Sequence, residues 1–267
     1  MHIRHLLILC LFAPVFSIAV NEQQQAEPSE TVFFKIGTKE IPAIVKFYKA
    51  DNTRLMFYLH GYSSNKEAGI NEITRLVSSG YDVIAIDAPR HGERKDDTLD
   101  KANTLTKDTI GAYVMEVIFE QATEVKQLIS LFESKGYKEF AVSGVSMGGI
   151  TAYHVPMVSD KVTTVVAVLG SPDWTHFAPK SGVNSQRILA SENPCRFKSI
   201  NVFAINAELD RAVPPIYARK FLKDLQVEKN SKVGRYKYLE IPEAGHFVSN
   251  EEWNGIWDEI DLWLAKK

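Results

Sequence analysis

Short apolar runs alternate along most of this chain with segments whose apolar residues have helical spacing. The short apolar runs are typical of strands buried on both faces, and they lie at 55–59, 81–86, 140–142, 162–169, 201–205 and 236–241. Segments with helical character separate them, at 66–79, 110–134, 147–158, 215–225 and 253–264. The alternation predicts an α/β fold with a mostly parallel central sheet and helices on both faces.

Two further segments complete the predicted domain. Residues 31–34 and 41–48 are rich in β-formers and are split by Gly37, which predicts an opening antiparallel pair. Residues 173–199 show no clear strand, so we expect a short lid insertion late in the sheet. A chain of 267 residues suits one such domain, which we place at 31–267 after a flexible leader at 20–30.

The N-terminus has the layout of a secretory signal. Arg4 and His5 precede the apolar stretch Leu6–Val20. Within it, the small residues Ser17 and Ala19 occupy the two positions that a signal peptidase reads, so cleavage is expected after Ala19. We expect residues 1–19 to be a signal peptide and the mature protein to be secreted or periplasmic. The alternative is a membrane anchor, although the apolar stretch of about 15 residues is shorter than the roughly 20 that span a bilayer. After cleavage no stable membrane span is expected.

Charge and motifs narrow the classes of function. The formal net charge is −2, which gives no overall basic field for nucleic acid. The sequence contains no H-E-x-x-H, C-x-x-C, P-loop or G-x-G-x-x-G pattern, so we predict no metal and no cofactor. The sequence leaves the oligomeric state open.

The strongest chemical signal is Gly144-Val145-Ser146-Met147-Gly148, between a buried strand and a helix. A serine hydroxyl is a poor nucleophile and has to stand exposed beside a base. A sharp strand-to-helix turn exposes it, and glycines on either side let neighbouring elements approach. The backbone N–H of Met147 opens the helix and can bind a developing oxyanion. Ser146 is therefore the candidate nucleophile.

The order of four motifs resembles the α/β-hydrolase family of serine hydrolases over residues 31–267. The motifs are His60-Gly61-Tyr62, Asp87-Ala88-Pro89-Arg90-His91-Gly92, the turn at Ser146, and the pair formed by Glu208–Pro214 and Ala244–Phe247. Within the family, the chain looks most like small esterases of the dienelactone-hydrolase and prolyl-oligopeptidase branch. The family order of serine, acid and histidine then implies Ser146, Asp210 and His246 as the catalytic residues.

Alternatives to the acid remain open. Asp210 follows a predicted strand and precedes Pro214, which resembles the acid turn of the family. Asp173 follows the preceding strand, and Glu208 is two residues away. Asp210 is also a candidate cap of the next helix. His246 is favoured as the base over the other histidines by its order and by Gly245 before it.

The resemblance also suggests residues around the reacting atoms. It implies that the backbone N–H of Tyr62 is the second oxyanion donor, beside that of Met147. His60, Trp174 and Phe177 are candidates for a substrate pocket, although Trp174 and Phe177 equally suit an anchor that ties the lid to the core.

These features predict a serine hydrolase that cleaves small carboxylic esters of short acyl chains through an acyl-enzyme. The same triad also serves peptidases, thioesterases and lipases. Some proteins of this fold are binding modules without activity, and these alternatives stay open at the level of sequence.

Overall fold

A single β-sheet organises the computed structural model, which describes residues 30–102, 104, 107–176, 189–227 and 234–266. Eight strands lie within these residues: β1 (Thr31–Ile36), β2 (Lys39–Lys46), β3 (Arg54–Leu59), β4 (Asp82–Ile86), β5 (Glu139–Val145), β6 (Val162–Val168), β7 (Asn201–Ala207) and β8 (Tyr236–Ile241). Their order in the sheet is β1-β2-β4-β3-β5-β6-β7-β8. The pairs β1–β2 and β2–β4 are antiparallel, and all pairs from β4 to β8 are parallel. The predicted mostly parallel sheet is confirmed.

Helices cover both faces of the sheet, as predicted. In the described part of the chain they are α1 (Ile70–Ser78), α2 (Asp97–Ala102), α3 (Lys107–Glu133), α4 (Met147–Val158), α5 (Pro215–Val227) and α6 (Asn250–Ala265). Helices α3, α4 and α5 pack on one face, whereas α1 and α6 pack on the other. Parallel strands require crossover connections, and helices lie in those from β3 to β4, from β4 to β5, from β5 to β6 and from β7 to β8.

Strand β3 shows why its sequence is apolar without interruption. Leu55, Phe57 and Leu59 belong to the core under α3, α4 and α5, while Met56 and Tyr58 belong to the core under α1 and α6. Successive side chains of a strand point to opposite faces, so a strand covered on both sides has no polar position. Burial of each large side chain contributes about 1.5–3 kcal/mol.

The segment predicted as one helix at 66–79 begins differently. Residues Lys66–Gly69 form a 3-10 turn, and α1 starts only after it. The side chain of Asn65 accepts hydrogen bonds from the backbone N–H groups of Glu67 and Ala68, which caps the turn. Gly69 lies so close to the ring of Tyr58 that a Cβ there would overlap it. This packing places the turn directly after the loop that follows β3.

Several predicted segments lie partly or wholly outside the described residues. They are the signal at 1–19, the leader at 20–30 except its last residue, and the central part of the lid at 177–188. Both described ends of the insertion are fixed in the core, since Trp174 and Leu189 are buried. In the part of the chain that the structure describes, no helix has the length and apolar character to cross a membrane.

Candidate active site

Ser146 occupies a strained turn between β5 and α4. Its φ of 54° and ψ of −115° lie in a region that residues with a side chain rarely adopt. Its N–H donates to the carbonyl of Val168 at 2.9 Å. A Cβ at Gly144 would overlap the backbone of Gly148, and one at Gly148 would overlap that of Leu59. Both glycines therefore permit the close approach, and the turn leaves Ser146 half-buried at the carboxyl end of β5.

Three polar side chains meet at this edge of the sheet. The Oγ of Ser146 lies 2.9 Å from Nε2 of His246, and Nδ1 of His246 lies 2.7 Å from Oδ2 of Asp210. Ser146 follows β5, Asp210 follows β7 and His246 follows β8, and the carboxyl ends of parallel strands share one edge. The side chain of Asp210 is fully buried, whereas 18% of the His246 side chain is exposed.

The carboxylate of Asp210 is held by the backbone that follows it. Its Oδ1 accepts hydrogen bonds from the N–H groups of Ala212 and Val213, both at 2.8 Å. The other oxygen is thereby directed to His246. Because a carboxylate accepts only, Nδ1 of His246 carries the proton in this contact, and Nε2 is left to accept the hydroxyl proton of Ser146.

The rival carboxylates have other partners. Asp173 accepts hydrogen bonds from the N–H and hydroxyl of Thr175 at 2.9 and 2.6 Å, and from the hydroxyl of Ser191 at 3.2 Å. Glu208 accepts from the N–H of Glu243 at 2.9 Å. Asp173 therefore closes a turn at the start of the insertion, and Glu208 joins the loops after β7 and β8.

Of the two backbone donors predicted for an oxyanion, the N–H of Met147 directly follows Ser146, and that of Tyr62 belongs to a loop that approaches it. Met147 is the first residue of α4, and the first N–H groups of a helix lack intrahelical acceptors and carry partial positive charge. The loop after β3 passes close by, since a Cβ at Gly61 would lie 3.6 Å from Cβ of Ser146. Tyr62 is the next residue, and its ring packs edge-on against His91 with centroids 5.5 Å apart.

His60 is placed inside the protein, not in a substrate pocket as predicted. Only 2% of the residue is exposed. Its Nδ1 lies 2.8 Å from the carbonyl oxygen of Gly61, and its Nε2 accepts from the N–H of Ala88 at 3.0 Å. Burial lowers the pKa of His60 to about 4, so the ring is neutral near pH 7. Its role in the structure is to join the loops after β3 and β4.

Trp174 also packs within the core. It is 1% exposed, and it belongs to a cluster with Met147, Ile150 and Leu189. The ring of Phe119 meets it edge-on at 5.9 Å. Of the two functions considered for Trp174, the structure places it as an anchor of the insertion. Phe177 lies outside the described residues.

Sequence reasoning missed a buried lysine next to the site. Lys66 and Asp87 both have fully buried side chains, and Nζ of Lys66 lies 3.2 Å from Oδ2 of Asp87. The available signal was Asp87 itself, because a carboxylate that directly follows a fully buried strand needs a partner. Nothing in the sequence indicates that the partner is 21 residues earlier.

Comparison with known proteins identifies the class. A model of the alpha/beta hydrolase family matches residues 56–198, which is more than half of the chain. The chain therefore belongs to the alpha/beta hydrolase family, and the resemblance in its motifs is confirmed.

Particular relatives can also be named. The chain is 24% identical over 123 residues to a Bacillus subtilis (strain 168) protein named "Putative esterase YitV"; the match covers 45% of this chain and 46% of that protein, so it spans less than half of the relative. The fold is similar to TT1662 from Thermus thermophilus, with a TM-score of 0.67, 18% identity, and 90% and 100% of the two chains covered. It is also similar to a "Putative Dienelactone Hydrolase" from Klebsiella pneumoniae subsp. pneumoniae MGH 78578, with a TM-score of 0.62, 14% identity, and 90% and 99% covered.

Proposed function

We propose that this chain is a serine hydrolase that cleaves carboxylic esters through an acyl-enzyme on Ser146. The observation that carries the proposal is the hydrogen-bonded series from Ser146 through His246 to Asp210 at the strained turn. A relative that is named as an esterase adds support.

The first half of the reaction forms the acyl-enzyme. The Oγ of Ser146 attacks the ester carbonyl carbon while Nε2 of His246 takes the hydroxyl proton. The N–H groups of Met147 and Tyr62 stabilise the oxyanion. His246 then gives its proton to the alkoxide as the ester C–O bond breaks, and the alcohol leaves.

The second half releases the acid. Water attacks the acyl carbon while Nε2 of His246 takes a proton from it, and the proton returns to Oγ of Ser146 as the acyl–serine bond breaks. Asp210 faces Nδ1 in both halves, so it holds the ring in the required tautomer and stabilises the imidazolium. The reaction consumes one ester and one water.

The substrates of the proposal are esters of short acyl chains. Trp174 and Leu189 are buried, which leaves only residues 175–188 between two fixed points. That stretch includes Lys180, Ser181, Asn184, Ser185 and Gln186. A deep apolar site would reward each added methylene by about 0.8 kcal/mol. A short polar insertion provides little such surface, so we expect kcat/KM to be highest at about two to six acyl carbons.

The test is hydrolysis of p-nitrophenyl esters by Ser146→Ala, with Ser143→Ala as the matched control. Ser143 lies in β5, shortly before the turn at Ser146, and its buried hydroxyl has no hydrogen-bond partner in the structure. We expect Ser146→Ala to lose about three or more orders of magnitude in kcat and to lose labelling by a fluorophosphonate probe. Retention of more than about a tenth of the activity, with contaminating esterases excluded, contradicts the proposal.

A further inference from the structure

A cluster of charged groups surrounds Lys66, directly after the loop that carries Tyr62. The ammonium of Lys66 lies 2.7 Å from Glu67, 3.2 Å from Asp87 and 2.6 Å from Glu93. Asp87 also accepts from the backbone N–H of Lys66 at 2.8 Å and from that of Glu93 at 3.0 Å. The cluster therefore binds both the side chains and the backbones of the two loops after β3 and β4.

The charge state of Lys66 excludes it as a base. Burial by itself lowers the pKa of Lys66, but hydrogen bonds to Glu67 and Glu93 and the charge of Asp87 outweigh burial and raise the pKa above its ordinary value. Lys66 is therefore an ammonium wherever the enzyme is folded near neutral pH. Its side chain is fully buried, so it does not contact a substrate either.

Stability alone is a weak reason for such a cluster. Taking Lys66 and Asp87 out of water is costly, and a buried ion pair is often no more stabilising than apolar side chains of the same volume. What the pair supplies is a defined geometry, because every charged atom requires its partner in one place. Gly92 fits this geometry: its φ is +56°, and a Cβ there would overlap the carboxylate of Asp87.

The geometry is imposed on the loop that contains Tyr62. One end of the loop is tied where Nε2 of His60 accepts from the N–H of Ala88. The other end is tied at Lys66. Between the two ties, Ser63 has a φ of 57°, a conformation that is unfavourable for a residue with a side chain and that persists only when its surroundings impose it.

The loop after β4 is itself held in place, so the cluster can fix the position of the loop after β3 against it. Arg94 donates to the backbone carbonyl of Asp87 at 3.1 Å. It also makes two hydrogen bonds of 2.7 Å with the carboxylate of Glu124 on α3. Glu124 is 1% exposed. The paired guanidinium and carboxylate thus connect the loop to a long helix.

We infer that Lys66 is a positioning residue, whose buried ammonium clamps the loop after β3 so that the N–H of Tyr62 stays aimed at the oxyanion beside Ser146. The inference rests on the proposed function, and it assigns Lys66 no contact with substrate. Loss of an oxyanion donor lowers kcat by about 10²–10³. A donor that is loosened but not removed should lower kcat by about 10-fold or more, with KM little changed.

The experiment compares Lys66→Met, which keeps the length and removes the charge, with Glu93→Gln, which weakens one arm at a carboxylate that is 45% exposed. Lys95→Met is the control, because Lys95 lies on the same loop and pairs at 3.0 Å with exposed Asp100. Rates are expressed per active site titrated with a fluorophosphonate, so that misfolded protein does not count. Affinity for a trifluoromethyl ketone, whose adduct carries the oxyanion, is measured in parallel.

We expect kcat per site to fall at least about 10-fold in Lys66→Met and at least about threefold in Glu93→Gln. Ketone affinity should fall with it, while KM stays within about threefold. The control should match the wild type. If Lys66→Met does not fold, Glu93→Gln decides. A kcat per site and a ketone affinity that both stay within about twofold of the wild type overturn the inference. Hydrolysis that survives Ser146→Ala overturns the proposed function instead.

Discussion

Replacement of Asp210 by asparagine tests the proposed acid, and the structure fixes how the new side chain must face. Oδ1 of Asp210 accepts from the N–H groups of Ala212 and Val213 at 2.8 Å each. An asparagine keeps its carbonyl oxygen there, since turning the amide over leaves two donors facing its NH2 at about 1–3 kcal/mol each. The NH2 group then faces Nδ1 of His246.

Two donors cannot hydrogen-bond to each other, so His246 responds by exchanging tautomers. Nδ1 becomes the acceptor and Nε2 carries the proton, which leaves Nε2 unable to take the proton of Ser146. The imidazolium also loses its carboxylate. We therefore expect kcat/KM to fall by about 10⁴-fold, which corresponds to about 5 kcal/mol of transition-state stabilisation.

The assay is kcat/KM on a short p-nitrophenyl ester, with the thermal midpoint and circular dichroism of each variant as a check on folding. Asp173→Asn is the matched control, because Asp173 lies in the loop after β6 and closes a turn with Thr175 and Ser191. It should retain activity within about tenfold. A large loss in Asp173→Asn with little loss in Asp210→Asn refutes the assignment and moves the acid to β6.

Three further outcomes are expected. The side chain of Phe247, 94% exposed beside His246, offers apolar surface to a substrate. If a substrate covers about 100 Å² of this side chain, Phe247→Ala should lower kcat/KM for apolar esters by about tenfold or more. The control is Phe33→Ala, because Phe33 is exposed on β1, and it should leave kcat/KM unchanged. Equal effects of the two substitutions contradict this prediction. Burial lowers the pKa of His60 to about 4, against about 6.5 when unfolded. The contribution of neutral His60 to the free energy of unfolding is therefore present above about pH 6.5 and is lost as the pH falls towards about 4. In urea unfolding, the free energy of unfolding of the wild type should fall by up to about 3 kcal/mol more than that of His60→Gln over that pH range. The same pH dependence in both proteins would refute this. The mature protein should begin near Val20 outside the cytoplasm, which N-terminal sequencing of secreted material checks; an intact N-terminus in membranes favours an anchor.

The fold was predictable because its central strands, such as β3 and β4, are buried on both faces. That burial requires apolar runs such as Leu55–Leu59, and a short apolar run between loops favours a buried strand. Element ends were less readable. Helix α6 begins at Asn250, earlier than predicted, because Ser249 and Glu252 form a capping box. Helix α2 was not predicted, since Leu99 is its one large apolar residue and local periodicity is absent.

The candidate site also has a part that the sequence predicted and a part that it did not. The resemblance to the α/β-hydrolase family implied that Ser146, Asp210 and His246 act together. Each follows a strand that ends at the same edge of the sheet, and the structure has them within hydrogen-bond distance. The partners of Lys66 depend instead on how two loops fold against each other, which leaves no periodic trace. His60 belongs with Lys66 in this respect, because only the position of Ala88 reveals its hydrogen bond.

The buried ends of the insertion have a consequence for how this protein can evolve or be redesigned. Trp174 and Leu189 are fixed in the core, and the reacting side chains stand on other loops. Each doubling of a flexible loop costs only about 0.6 kcal/mol in closure entropy. We therefore expect that residues 175–188 can be exchanged for a longer or more apolar segment at small cost to stability. Under the proposed function, such an exchange should change the substrate range while Ser146, Asp210 and His246 stay in place.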